Sequence, residues 1–233
     1  IDNNFYYLSL EAYEKISYQI ENVEFIEEYN GSYFIGKFVY EPINNRKIPI
    51  LPANFVDTDN ATGFVKSVPA HAPYDYMALK DLGLNIQPIP VIKLEKFGEI
   101  PAKEMCEKYN IKDQMDERLK DLTEELYREE FYHGIMLPVS GEFSGTKVSE
   151  AKEKIKDFLY KTEKAIRFYE TSRKAVTRSG NKVIVAVVHG QWFLDYSNSE
   201  WKNKTFELID KMKFYPENYR QIFREIAEWL KER

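Results

Sequence analysis

The sequence predicts an α+β fold: a β-barrel-like body with a helical insertion, then a C-terminal strand and helices. Three observations predict it. Short β-branched and aromatic runs alternate with turn residues through the first third of the chain. Helical periodicity takes over near Pro88. A nearly continuous apolar run, Lys182-Val-Ile-Val-Ala-Val-Val188, then precedes two amphipathic segments.

Taken in order, Phe5-Tyr-Tyr-Leu-Ser-Leu10 reads as a strand and Glu11 to Tyr18 as a short helix entered through Ser9 or Leu10. Val23 to Glu28 reads as a strand, Asn30-Gly31 as a hairpin turn, and Tyr33 to Tyr40 as the return strand. Asn44-Asn45 is a second turn before Lys47-Ile-Pro-Ile-Leu51, where Pro49 and Pro52 favour an edge or rim position. Asp57 to Asn60 is a further turn, and Gly63 opens a short apolar strand. Beyond Pro88, Ile89 to Leu94 reads as a strand. Ala102–Tyr109, Asp116–Glu130 and Ser149–Tyr160 read as helices, the last with Ser149 as N-cap. Arg178-Ser-Gly-Asn181 is a tight turn. The apolar run after it predicts a strand buried on both faces. Trp201–Lys213 and Glu217–Lys231 complete the pattern, with Trp192 and Trp201 expected to be buried. The division that follows is residues 1–176, with the helical insertion at about 93–168, and residues 177–233.

The 233 residues suffice for one large domain or one domain with a smaller piece. With 43% hydrophobic and 30% charged residues the chain can bury a core and carry a charged surface. A net charge of −5 gives no global footprint for nucleic acid, so RNA contact would need a local patch. The lysines between Lys147 and Lys164 are one candidate, and a solvated helix face accounts for them as well. Glu124, Glu125, Glu129 and Glu130 read as such a face. Cys106, the single cysteine, excludes an internal disulfide and a multi-cysteine zinc site. The three histidines lack metal-ligand spacing, so no metal is expected, and His133 and His189 read as incidental surface or packing residues. No glycine loop for phosphate is present. No apolar run reaches membrane-spanning length and the start carries no signal-peptide pattern. The opening Ile1 leads to the expectation of a fragment or processed product.

The most informative stretch is Gly63-Phe-Val-Lys-Ser-Val-Pro-Ala-His-Ala-Pro-Tyr-Asp-Tyr76. Ser67, His71 and Asp75 are four residues apart, a spacing that would suit a nucleophilic triad on a helix face. Pro69 and Pro73 forbid one helix there. Proline at the first helical position instead places Asp75 in the first turn of a helix. The helix field favours an anion there by about 0.3–1 kcal/mol, which predicts an ionised carboxylate able to hold an ammonium group. Capping of its own helix is the alternative role for Asp75. For His71, substrate contact and a structural ring hydrogen bond both stay open.

These residues resemble the editing domain of the class I aminoacyl-tRNA synthetases, most closely the leucyl-tRNA synthetases of archaea and eukaryotes. Ser67-Val-Pro-Ala-His-Ala-Pro-Tyr-Asp-Tyr-Met-Ala-Leu79 carries the central motif, and Ile50 to Asp57 with Asn60-Ala-Thr-Gly63 resembles the approach to the pocket. Pro88 to Ile92 and Ile100 to Lys103 are similar to the archaeal insertion. Gln191-Trp-Phe-Leu-Asp-Tyr-Ser197 with Trp201-Lys202 resembles the return to the synthetic core. The resemblance implies hydrolysis of the aminoacyl ester of mischarged tRNA(Leu), with the tRNA 3′ end and a misattached amino acid such as isoleucine or norvaline as partners. It implies Asp75 and His71 as catalytic residues and Thr62, Ser67, Val68, Ala72 and Tyr74 as substrate-binding residues. It further implies a cytoplasmic monomer that needs no cofactor itself, ATP and Mg belonging to the full-length ligase. Binding alone separates a methylene by only about 1–3 kcal/mol, which is why a second, sterically selective site is used.

Two departures bear on this reading. The family's threonine-rich pocket wall is not found in the sequence, and Lys66 stands where an apolar residue is expected. The His-Gly-type and Lys-Met-Ser-Lys-type signatures of synthesis are also not found. The alternatives are an isoleucyl- or valyl-type editing domain and a non-catalytic tRNA-binding fragment.

Overall fold

The computed structural model describes residue 1 and residues 4–231. It divides into two compact units, Ile1–Ala186 and Val187–Arg233. The fold is α+β, with helices dominating and β ladders, among the described residues, limited to two two-stranded antiparallel sheets beside isolated bridges at Ile135–Lys147 and Val176–Lys182.

The first unit begins with α1 (Leu10–Ser17). Ser9 caps it by accepting from the Ala12 amide at 3.1 Å, as an N-cap serine does. Gly63 sits at φ +75°, and a Cβ there would lie 2.7 Å from the Ser9 Cβ. The glycine therefore admits the close approach of Ser9 and the cap of α1. Lys15 on α1 is buried and pairs with Asp59 at 3.0 Å and Glu170 at 2.7 Å. Gln19 exchanges hydrogen bonds with the Tyr169 backbone and donates to the Val185 carbonyl. These contacts fasten residues 169–185 to the N-terminal helix.

The strands expected at 5–10, 23–28 and after Gly63 do not form ladders. Asn30 caps a 3-10 turn at Gly31–Phe34 in place of a hairpin turn. Only β1 (Phe38–Tyr40) and β2 (Lys47–Pro49) pair here, Val39 opposite Ile48, across the Asn44-Asn45 turn. Strand propensity is realised only where a partner edge exists, and the other segments find none. The Lys182–Val188 run is likewise no buried strand: Val187 and Val188 are exposed, and pairing is limited to a bridge between Val176 and Lys182.

Helices α2 (Pro73–Asp81), α3 (Pro101–Lys108) and α4 (Leu119–His133) surround the main core. Met77, Ala102, Met105, Cys106, Leu119, Leu122 and Leu126 pack there, all nearly or fully buried. Pro73 and Pro101 each start a helix, where the missing N–H costs nothing. α4 ends at Gly134, where a Cβ would approach the Glu130 carbonyl to 2.4 Å, Ile92 to 2.6 Å and Val148 to 2.8 Å. That close approach lets β3 (Ile92–Lys93), β4 (Ile135–Met136) and α5 (Val148–Lys161) converge. Lys147, not Ser149, is the N-cap of α5. The α5 lysines lie on an exposed face with helical ion pairs such as Lys156–Glu153 at 2.8 Å.

The second unit contains α6 (Ser199–Lys211) and α7 (Tyr219–Trp229), packed through Ile209, Phe214 and Ala227. The Arg220 guanidinium donates to the carbonyls of Ile209, Asp210 and Met212 at 2.7–2.9 Å, closing the C-terminal end of α6. Trp192, expected to be buried, is 97% exposed, and neighbouring Phe193 and Leu194 are also exposed.

Leu126 is fully buried at the centre of the first unit's core. Leu126→Ala is expected to cost about 2–5 kcal/mol of stability by urea unfolding. A change under about 1 kcal/mol would mean that the cluster does not hold α4 in place.

Candidate functional site

Residues 68–75 form the floor of the site. The Val68 carbonyl accepts from the amides of His71 at 2.9 Å and Ala72 at 3.1 Å, closing a turn that delivers the chain into α2. Ala72 is the N-cap and supplies no side-chain bond. Asp75, in the first turn, does not cap its own helix. Its Oδ2 accepts from the Val68 amide at 2.6 Å, locking the turn from the other side.

Asp75 is buried, and burial pushes its pKa up from 3.8, with the Val68 amide and the Ser67 hydroxyl pulling it back. Desolvation thus opposes the ionised form that the helix field favours. Both effects act on one carboxylate, and burial is the larger.

His71 is buried at 3% exposure and both its ring nitrogens are occupied. Nε2 accepts from the amides of Val91 at 2.9 Å and Ile92 at 3.2 Å, so it carries no proton. The ring proton is therefore on Nδ1, which donates to Glu130 Oε1 at 2.6 Å. An imidazole so held has no lone pair to act as a base. The geometry makes His71 a positioning group that joins the 68–72 turn, β3 and α4.

Glu130 was missed by the sequence reading, which placed it on a solvated face. It is buried at 4% exposure, and burial raises its pKa from 4.5 while the His71 contact lowers it. The signal was present: Leu119, Leu122 and Leu126 mark the inner face of α4 by helical spacing, and Glu130 is the next residue on it. Thr123 and Tyr127 extend that face toward the site.

A cavity of about 320 Å³ opens between these elements, lined in part by Val68, His71, Ala72, Tyr74, Asp75 and Glu130. Phe55 stacks on Tyr74 with ring centroids 5.3 Å apart, adding an aromatic wall. Ser67 is exposed and does not line the cavity, although its hydroxyl lowers the Asp75 pKa. Thr62 does not line the cavity; its hydroxyl bonds within its own turn to Phe64. Lys66 lines the cavity but its side chain is half exposed, with Nζ 3.5 Å from Glu41. Glu41 is itself buried, yet amide bonds from Ile43 and Asn44 and the Lys66 charge bring its pKa down. Among the described residues no group of three His, Cys, Asp or Glu side chains is placed to hold a metal ion.

The family profile for the leucyl-tRNA synthetase editing domain matches residues 9–160. The chain belongs to that family. A leucine–tRNA ligase of Archaeoglobus fulgidus is 44% identical over 251 residues, covering 100% of this chain and 27% of the relative. One from Methanocaldococcus jannaschii is 42% identical over 237 residues, covering 100% and 25%. The chain thus spans about a quarter of the length of these curated relatives. Among solved structures, GlLeuRS-CP1 is similar with a TM-score of 0.61 at 28% identity, covering 70% of this chain and 69% of that one. The cytosolic leucyl-tRNA synthetase editing domain of P. falciparum shares the fold with a TM-score of 0.61 at 21% identity, over 70% and 61% of the two chains. The α+β architecture is that of these editing domains, and the site lies within the matched segment. No helix among the described residues is long and apolar enough to cross a membrane.

Raised carboxylate pKa values carry a stability signature. The folded state holds a proton more tightly than the unfolded chain, so the contribution of Asp75 and Glu130 is full below about pH 4 and is lost as pH rises through their folded pKa values. Asp75→Asn should therefore gain stability relative to the unaltered protein as pH climbs from 4 to 7, measured by urea unfolding at several pH values. A constant difference across that range would show that burial does not govern this group.

Proposed function

We propose that the site hydrolyses the aminoacyl ester of mischarged tRNA(Leu), as the post-transfer editing site of a longer leucine–tRNA ligase. The observation that carries this is Asp75: a buried carboxylate on a rigid helix start, facing a largely apolar cavity in a chain of this family.

The Asp75 carboxylate receives the α-ammonium of the misattached amino acid. Val68, Ala72 and Tyr74, with Phe55 opposite, surround its side chain. His71 holds the floor of the site and does not take part in proton transfer. Water attacks the ester carbonyl carbon, the bond to the ribose oxygen breaks, and the proton from water ends on that oxygen. Orientation supplies much of the acceleration, since intramolecular positioning alone is worth up to about 7–11 kcal/mol. Isoleucine and norvaline esters are the expected substrates, with leucine refused by shape. ATP and Mg²⁺ belong to synthesis in the longer enzyme. The sequence carries no glycine-rich phosphate loop, no acidic cluster among the described residues is placed for a cation, and no step passes through them. The reaction belongs to translation and is placed in the cytoplasm. Residues 1–176 form the editing body in this reading, with the return segment beyond.

The test is deacylation of tRNA(Leu) bearing isoleucine or norvaline, with leucine-bearing tRNA as control. Selective hydrolysis is expected, falling about 100-fold or more in Asp75→Ala, the scale of losing a charge-assisted anchor together with its orientation. Unchanged hydrolysis in that variant would remove Asp75 from the mechanism. No hydrolysis by the unaltered chain would favour a tRNA-binding role without catalysis.

A further inference from the structure

We infer that Glu130 is a second substrate-binding carboxylate, which shares the α-ammonium of the ligand with Asp75. This rests on the editing reading above and adds a contact from α4 that the central motif does not contain.

Glu130 is buried and lines the same cavity as Asp75. Its Oε1 is taken by the His71 Nδ1–H at 2.6 Å. Its Oε2 has no hydrogen-bond donor among the described residues, and it is not sealed in the core, where Thr123 Oγ1 is the one unpartnered side-chain atom. One oxygen is thus fixed by the imidazole, while the other accepts no hydrogen bond from the described residues. A largely buried carboxylate with an unused acceptor costs free energy unless water or a ligand supplies a donor.

The charge balance names the donor. Four lining side chains are titratable with respect to charge at neutral pH: Lys66, His71, Asp75 and Glu130. His71 is neutral by the tautomer its bonds impose, and Lys66 is half exposed and committed to Glu41. The cavity therefore presents two carboxylates and no inward-facing cation. Tyr127 lines the same cavity as both carboxylates. A primary ammonium has three donors and a full charge, enough to serve both carboxylates, whereas a ribose hydroxyl has one donor and no charge. Asp75 already accepts from the Val68 amide, so a shared ammonium also completes its bonding.

The test compares two probes by calorimetry: adenosine with norvaline in amide linkage at the 3′ position, and the same nucleoside carrying pentanoyl, which lacks only the ammonium. The protein should prefer the first. Glu130→Gln keeps an oxygen for His71 but removes the charge, and it should narrow that preference about ten-fold or more while leaving pentanoyl binding unchanged. An unchanged preference, or an equal loss for both probes, would overturn the inference, the latter pointing to a purely structural role. If the unaltered protein bound neither probe, the editing reading itself would fall, a pattern distinct from the other two. Should Glu130→Gln lose its cooperative melt, the carboxyl carbon resonance of Glu130 in unaltered protein decides. It should move with the norvaline probe and stay in place with the pentanoyl one; a shift common to both would overturn the inference.

Discussion

The buried contact between His71 and Glu130 is the constraint on which the rest of the site depends. It spans 59 positions of sequence and adds a polar tie between three pieces that the apolar core also packs together. From the imidazole, Nδ1 reaches α4 and Nε2 reaches the amides that begin β3. The 68–72 turn is held on its other side by Asp75. Two carboxylates, approaching from opposite elements, thus set the position of one short loop. Such a buried polar network is stabilising only when its members are satisfied, and here the ring atoms all are.

The helical part of the fold was legible in the sequence because its signals are local. Pro73 opens a helix where the sequence placed it and Ser9 leads into α1 as its cap, while the helices expected from Ala102 and Trp201 begin earlier, at Pro101 and at Ser199 under an Asn198 cap. Ser149 did not cap, because α5 begins one residue earlier and leaves it inside the first turn. The β part was much less legible. Val23 to Glu28 and the run from Lys182 to Val188 have strand composition, but a ladder needs a neighbour, and only Phe38–Tyr40, Lys47–Pro49, Ile92–Lys93 and Ile135–Met136 acquire one.

The site followed the same division. Asp75 was found from a proline and a position in a helical turn, both local facts. The open question at His71, substrate contact or structural bond, could not be closed from the motif, because its partners lie at Val91, Ile92 and Glu130. Glu130 itself carried a readable sign, four residues after Leu126 on the apolar stripe, which was set aside because glutamates cluster around it. A charged residue on the inner face of a helix is informative even when its neighbours are plainly solvated. Thr62 shows how little a motif position says about where a hydroxyl is used. It belongs to the motif in sequence, but its hydroxyl is spent within a turn.

The state of the His71 ring also governs which reagents can reach the site. Transition metals and acylating agents attack imidazole through an unshared electron pair, and this ring has none to offer: one nitrogen holds a proton given to a carboxylate, the other accepts two amides. The floor of the cavity is thus chemically quiet, although a histidine lies in it. Sensitivity to soft metals or to histidine-directed labels would have to arise elsewhere on the chain.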